Sequence, residues 1–356
     1  MDPQQFVEWL KQKNLFAQVE KHYPAFEKIL RDCLAVRKEY LLIVGDLGYE
    51  QRRASALATG CYLLAAKRLG LKYSLVMQEP KKVHSSADDL LIKALSEFTE
   101  YNAITIAISG KIGAMKVLGK SFRRYARTRQ HKFASTVSLQ ELLTKQFGSL
   151  VEAIDVDYGK LQSVGKQVKE KLDHGSFVRV TTRAGTDMVF DIKRKYAVAN
   201  TADYDEPRQG GNMPAGEVYI APNPKGASGR VVIDGSSKIR DQTILLADPI
   251  TLDVVHGQIV KISGGQEAQL LENTLRWAEK KAHFPWGIRR IGELGIGINP
   301  KAKIIGPNLI NEKTLGTAHV AIGSNQWFGG SVYSITHFDQ VFRNPTILVD
   351  DERLRI

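Results

Sequence analysis

The chain changes texture along its length. In the first 140 residues, apolar positions form short solid runs separated by stretches with helical spacing. Beyond about residue 175 they alternate singly with polar or small residues, as half-buried strands do. Residues 4–38 carry a helical period, and Tyr40–Val44 reads as a short buried strand. A helix over 51–69, a strand Tyr73–Met77, a helix over 88–99 and a strand Ala103–Ser109 continue the order. Such alternation predicts a parallel sheet flanked by helices. The stretch 139–173 reads as helical and as the bridge between two domains. After it, Phe177–Thr182 and Met188–Lys193 form a hairpin around Arg183–Thr186. Glu217–Ala221, Val231–Asp234, Ile244–Ala247 and Gln258–Ile262 are further strands, and a helix over 265–282 offers Leu270, Leu271, Leu275 and Trp277–Ala278 to a sheet. Pro345–Val349 is the last strand. The expected fold class is α/β plus α+β: an N-terminal parallel-sheet domain over 1–150 and a mainly antiparallel α+β metal-binding domain over 151–356.

Charge adds one feature. The net charge is +12, and Lys111, Lys116, Lys120, Arg123, Arg124, Arg127, Arg129 and Lys132 follow one another with no acid between them. A solvated basic face with one or two paired residues is the plainer reading of this segment, 111–132, and a nucleic-acid patch the other. No stacking motif for RNA accompanies it. Gly45, Gly48, Gly110 and Gly113 follow strands without forming a nucleotide fingerprint, so they read as turn and packing glycines. Two cysteines, Cys33 and Cys61, give no disulfide framework. With no apolar run of membrane-spanning length, a cytoplasmic chain without a membrane partner is expected.

The chemistry concentrates in the last 140 residues. Glu217, Glu293, His319, His337 and Asp339 each sit on a predicted strand. Alternation puts Glu293 on one face with Gly295 and Gly297, and His319 with Ala321 and Gly323. His337 and Asp339, two apart, share a face. Taken singly, each has a bland reading: a core histidine, a Glu293 pair with Arg289 or Arg290, an Asp339 pair with Arg343. Burying two carboxylates and two imidazoles on faces of small residues without a cation is costly. The donors suit zinc, cobalt, manganese or iron(II). Their number matches a two-metal site sharing a carboxylate; if two ions bind, Glu293 is the candidate bridge, and Glu312 or a metal-bound carboxylate the proton relay. His283 reads as a helix cap or a sixth donor, and His22, His84, His131, His174 and His256 as surface residues.

Several stretches carry a resemblance: Val178–Asp187, Gly210–Pro222, Gly292–Asn299, Glu312–Gly323 and His337–Asp339. In this order they resemble the aminopeptidase T family of metalloaminopeptidases. The resemblance implies metal ligands at Glu217, Glu293, His319, His337 and Asp339. It also implies a co-catalytic two-metal centre, a homodimer with sheltered active sites, and removal of N-terminal residues from peptides; two ions of zinc, cobalt or manganese are expected there, with Glu293 and Glu312 as the expected catalytic residues. One departure stands out. The family places a tyrosine about seven residues after the histidine matched by His319, and Asn325–Gly330 has none, while Tyr333 is off register. The same superfamily includes proteins similar to 2,5-dihydroxypyridine 5,6-dioxygenase, which imply the alternative: one iron(II) on His337, Asp339 and either His319 or His283, acting with oxygen on a small molecule.

Overall fold

The computed structural model describes residues 1–81, 85–240 and 242–356. His84 lies outside them. The chain divides into two compact units, Met1–Tyr158 with Ala202–Ala215, and Gly159–Thr201 with Gly216–Ile356. The cut expected near 150 therefore falls a few residues later. Residues 202–215, assigned from sequence to the second domain, return to the first unit, because Gly210–Asn212 adds a parallel strand beside Lys132–Thr136.

The first unit is built on a five-stranded parallel sheet in the order 73–78, 41–46, 103–107, 132–136, 210–212. Its inner strands are buried along their whole length, as parallel strands covered by helices on both faces must be. The helix expected over 4–38 is broken into Pro3–Gln12 and Phe16–Lys28, followed by a π-turn over Ile29–Cys33. Asn14 makes the break by taking a left-handed conformation (φ 55°). The stretch 139–173 is likewise discontinuous, with helices Phe147–Ile154 and Tyr158–His174. Gly45 is a packing glycine, because a β-carbon there would meet Thr59 Oγ1 at 2.2 Å.

The basic segment ends inside this unit. Lys132 is buried and pairs with Glu39. Lys116 pairs with Asp89, and Arg129 lies 3.9 Å from Glu100. His131, read from sequence as a surface residue, is fully buried. Its Nδ1 faces the Asn102 amide at 3.3 Å, and burial lowers its pKa to about 4. A charged histidine is therefore disfavoured in this core.

The second unit holds two seven-stranded antiparallel sheets. One runs 258–263, 250–255, 227–233, 187–191, 177–181, 346–349, 352–353. The other runs 242–245, 236–239, 337–343, 317–323, 291–297, 217–220, 198–200. Helix Gln266–Lys281 buries Ala268, Leu271, Thr274, Leu275 and Ala278, while Leu270, expected on that face, is 45% exposed. Among the described residues no helix is long and apolar enough to cross a membrane.

Candidate metal centre

The second of these sheets carries all the donors on one side, and its register explains how. Glu293 pairs across strands with Ala321, and Ala321 with Asp339. Gly295 lies opposite His319, Gly323 opposite His337, and Gly297 opposite Glu217. Every donor thus has a glycine or alanine as a cross-strand neighbour. Directly paired side chains in an antiparallel sheet stand about 4.5–5.5 Å apart, so a large neighbour would fill the space that each donor needs. At Gly295 the demand is explicit: a β-carbon would fall 2.1 Å from His319 Nε2. Gly295→Ala is expected to displace the imidazole and to cost about 1–3 kcal/mol, the usual range for overpacking. Urea unfolding of the metal-free variant beside the parent checks this.

Three donors converge. Oxygen and nitrogen atoms of Glu293, His337 and Asp339 lie within 4.8 Å of one another. His337 Nε2 is 3.2 Å from Asp339 Oδ1 and 3.7 Å from Glu293 Oε2. The other ring nitrogen, Nδ1, sits 2.8 Å from the Ser324 carbonyl, to which it donates. That bond aims Nε2 inward, as the outer partner of a metal-binding histidine does. Asp339 is held in the same manner: Asn308 donates to its Oδ2 at 2.7 Å, leaving buried Oδ1 without an aligned hydrogen bond. His319 turns Nε2 to Glu293 Oε1 at 3.1 Å, and its buried Nδ1 has no partner. Orphaned donor atoms around two carboxylates and an imidazole fit a divalent cation.

The remaining predicted residues fall elsewhere in the same polar network. Glu217 is outside the convergent group. Its Oε1 accepts from Lys313 Nζ at 2.8 Å and from Asn200 Nδ2 at 3.3 Å. Glu312 is buried, with one oxygen on Lys313 and the other on Asn308. His283 is exposed and packs edge-on against Phe284. The histidine–histidine–aspartate triad of the iron reading is therefore not what assembles, because Glu293 closes the group in place of a second imidazole. The bland pairings do not form either. Arg289 binds Glu272 and Glu279, Arg290 donates to the carbonyls of Pro224 and His256, and Arg343 donates to Asp234.

Lys313 is the residue that the sequence reading missed. Its side chain is fully buried between Glu217 and Glu312. Asn299 donates to the Lys313 carbonyl at 2.8 Å and accepts from Leu315, which fastens this turn to the end of the Glu293 strand. Gly297 permits the approach, since a β-carbon there would meet the Thr314 carbonyl at 2.2 Å. Where the family tyrosine is expected, Gln326–Phe328 forms a short 3-10 turn. Trp327, half exposed, packs edge-on against His337, with ring centroids 4.6 Å apart.

Without a cation the two imidazoles hold protons. Burial alone would lower the pKa of His337, but Asp339 and Glu293 outweigh it and raise it to about 10. His319, opposed by burial but favoured by Glu293, rises to about 9. Burial raises Glu312 to about 8 despite Lys313. Burial also raises Glu293, whereas His337 and His319 carry Asp339 below the usual carboxylate range against its desolvation. The raised histidines contribute stability that is complete below their unfolded pKa of about 6.5 and lost as pH climbs through their folded values. Glu312 works in the same direction, because its favoured neutral form is lost on the way to pH 8. Asp339 contributes above an unfolded pKa of about 3.9 and fails only in acid. Chelator-treated protein is therefore expected to lose stability steadily from about pH 6.5 to 10. A divalent ion competes with the same protons, so its affinity should rise over that range. Urea midpoints and calorimetric titrations at several pH values check both slopes.

Fold and site together define a class: an α/β chain joined to an antiparallel unit whose sheet face presents a buried carboxylate–imidazole group that could hold a metal ion. Residues 150–355 match the family described as NicX, 2,5-dihydroxypyridine 5,6-dioxygenase. More than half of the sequence is matched, and the chain belongs to that family. It is 26% identical over 184 residues to the 2,5-dihydroxypyridine 5,6-dioxygenase of Pseudomonas putida KT2440, over 49% of this chain and 51% of that protein. The match thus spans about half the length of the curated relative. The solved structure of 2,5-dihydroxypyridine dioxygenase from the same organism is similar with a TM-score of 0.74 at 18% identity, covering 95% of this chain and 96% of that one. Wild-type AmpT from Thermus thermophilus is similar at 0.60 and 15% identity, covering 96% and 97%. At those identities the two structures show a shared fold. The aminopeptidase likeness thus extends to the fold, while the family is the dioxygenase one.

Proposed function

We propose that this chain is a metal-dependent oxygenase acting on a small hydroxylated aromatic ring. The observation that carries the reading is the group Glu293, His337 and Asp339, whose partly exposed member, His337, stands against the half-exposed ring of Trp327. Family membership supports oxygen chemistry over hydrolysis. Iron(II), when bound, supplies the redox chemistry with dioxygen that no side chain here offers. The chain's own part is positional. Ser324 and Asn308 fix the faces that His337 and Asp339 turn inward. Trp327 offers an aromatic wall at the exposed side, where a planar ring can stack. Glu293 holds His319 in place through its second oxygen.

Anaerobic reconstitution of the full chain with iron(II), followed by oxygen uptake on 2,5-dihydroxypyridine and related hydroxylated rings, tests this reading. Uptake coupled to loss of the ring chromophore is expected. A second reading, the aminopeptidase, is favoured by the presence of Glu217, Glu312 and His319 in one network with the three convergent donors. Release of N-terminal residues from peptides by the zinc-, cobalt- or manganese-loaded chain, with no oxygen uptake, would select it.

A further inference from the structure

The strand Glu217–Ile220 presents two side chains to the donor face, Glu217 and, two residues on, Tyr219. Its other three residues are buried, and Tyr219 alone keeps partial exposure. Tyr219 pairs with Gly295, and Gly295 with His319, so the three form one row across the sheet. The His319 ring leans over Gly295, where a β-carbon would fall 2.1 Å from its Nε2, and Tyr219 is the next side chain in that row. Glu293, two residues before Gly295, is the diagonal neighbour of Tyr219. Such neighbours stand about 7–8 Å apart, within reach of an aromatic side chain.

Three ring contacts lead from Tyr219 back to the donors. Tyr219 meets Phe328 edge-on with centroids 5.0 Å apart, Phe328 meets Trp327 at 5.3 Å, and Trp327 meets His337 at 4.6 Å. This arc crosses the sheet from the strand of His337 to the strand of Glu217 and walls one side of the donor group. Phe328 brings no polar atom and Trp327 only a donor, whereas the Tyr219 hydroxyl both donates and accepts. An apolar slot discriminates poorly between rings that differ by one hydroxyl, while a polar partner in the slot discriminates well.

We infer that Tyr219 is a specificity residue of this centre: its hydroxyl binds a second polar substituent of the aromatic substrate, on the edge turned away from the metal donors, while Trp327 holds the face of the ring. This rests on the proposed function and narrows its substrates to rings with polar substituents on two different edges.

The test uses the full chain loaded with zinc, which leaves the ring unreacted because zinc has no redox chemistry. Calorimetry reads the binding of 2,5-dihydroxypyridine and of the two monohydroxypyridines that each keep one of its hydroxyls. The variant is Tyr219→Phe, which retains the ring and its contact with Phe328. It is expected to bind the dihydroxylated ring about fivefold to tenfold more weakly than the parent, the size of one neutral hydrogen bond. The monohydroxylated ring that lacks the group facing Tyr219 should bind parent and variant within twofold, and the affinity for zinc should not change. Binding of the dihydroxylated ring within twofold of the parent, or an equal loss on all three rings, would overturn the inference and leave the proposed function standing. No ring bound by the zinc-loaded parent would remove the proposed function as well.

Discussion

His337→Ala should abolish retention of a divalent ion while leaving the fold in place. The argument is local. His337 brings the one nitrogen that lies close to both Asp339 and Glu293, and the Ser324 carbonyl keeps that nitrogen turned inward. Without the ring, two buried carboxylates face each other with His319 alone nearby, and one of them takes up a proton. The donor set falls to a protonated pair, and affinity should drop by well over about 100-fold, since outer partners alone account for up to that much. Gly323, opposite His337, has no side chain that depends on the ring for packing, so the sheet keeps its register. Calorimetric titration with zinc, together with circular dichroism, reads both halves. Affinity within tenfold of the parent would show that the centre lies elsewhere.

Lys313→Met should have the largest effect on stability. The side chain fits a similar volume, so the change removes charge more than packing. It leaves Glu217 and Glu312 buried together with no cation between them. Breaking a buried pair in this way costs about 3–5 kcal/mol. The loss should shrink toward acid, where Glu312, whose neutral form burial already favours, takes up its proton at little cost. The double variant Lys313→Met with Glu217→Gln should recover part of the loss, because it leaves one acid whose neutral form burial already favours. Urea unfolding at pH 5 and 8 measures this. A loss below about 1 kcal/mol, the size of an exposed pair, would contradict the burial described for Lys313.

The donor face could be read from sequence because it follows a period of two with small residues between the polar ones. Glu293-Leu-Gly-Ile-Gly and His319-Val-Ala-Ile-Gly state their faces without any tertiary knowledge. Which donors converge could not be read, since that depends on register. A displacement of one pair would set Glu293 opposite a different residue of the His319 strand. Lys313 was hidden for another reason. It follows Glu312 in a turn, where a lysine normally reaches solvent, and its partner Glu217 lies 96 residues earlier. His131 was hidden inside a basic run whose neighbours are mostly exposed, although it directly precedes a strand, Lys132–Thr136, that is buried throughout. The broken helices were missed because their apolar period survives the break at Asn14.

The clearance around each donor has one further consequence. Space at His319, His337, Glu293 and Glu217 is made by Gly295, Gly323, Ala321 and Gly297 on the adjoining strand, so room and ligand identity are encoded by different residues. A lineage can exchange one donor for another without carving a new hollow, because the neighbour that yields the room stays unchanged. The sheet behaves as a pegboard: its holes are fixed by the backbone lattice, and the pegs decide which reaction is run.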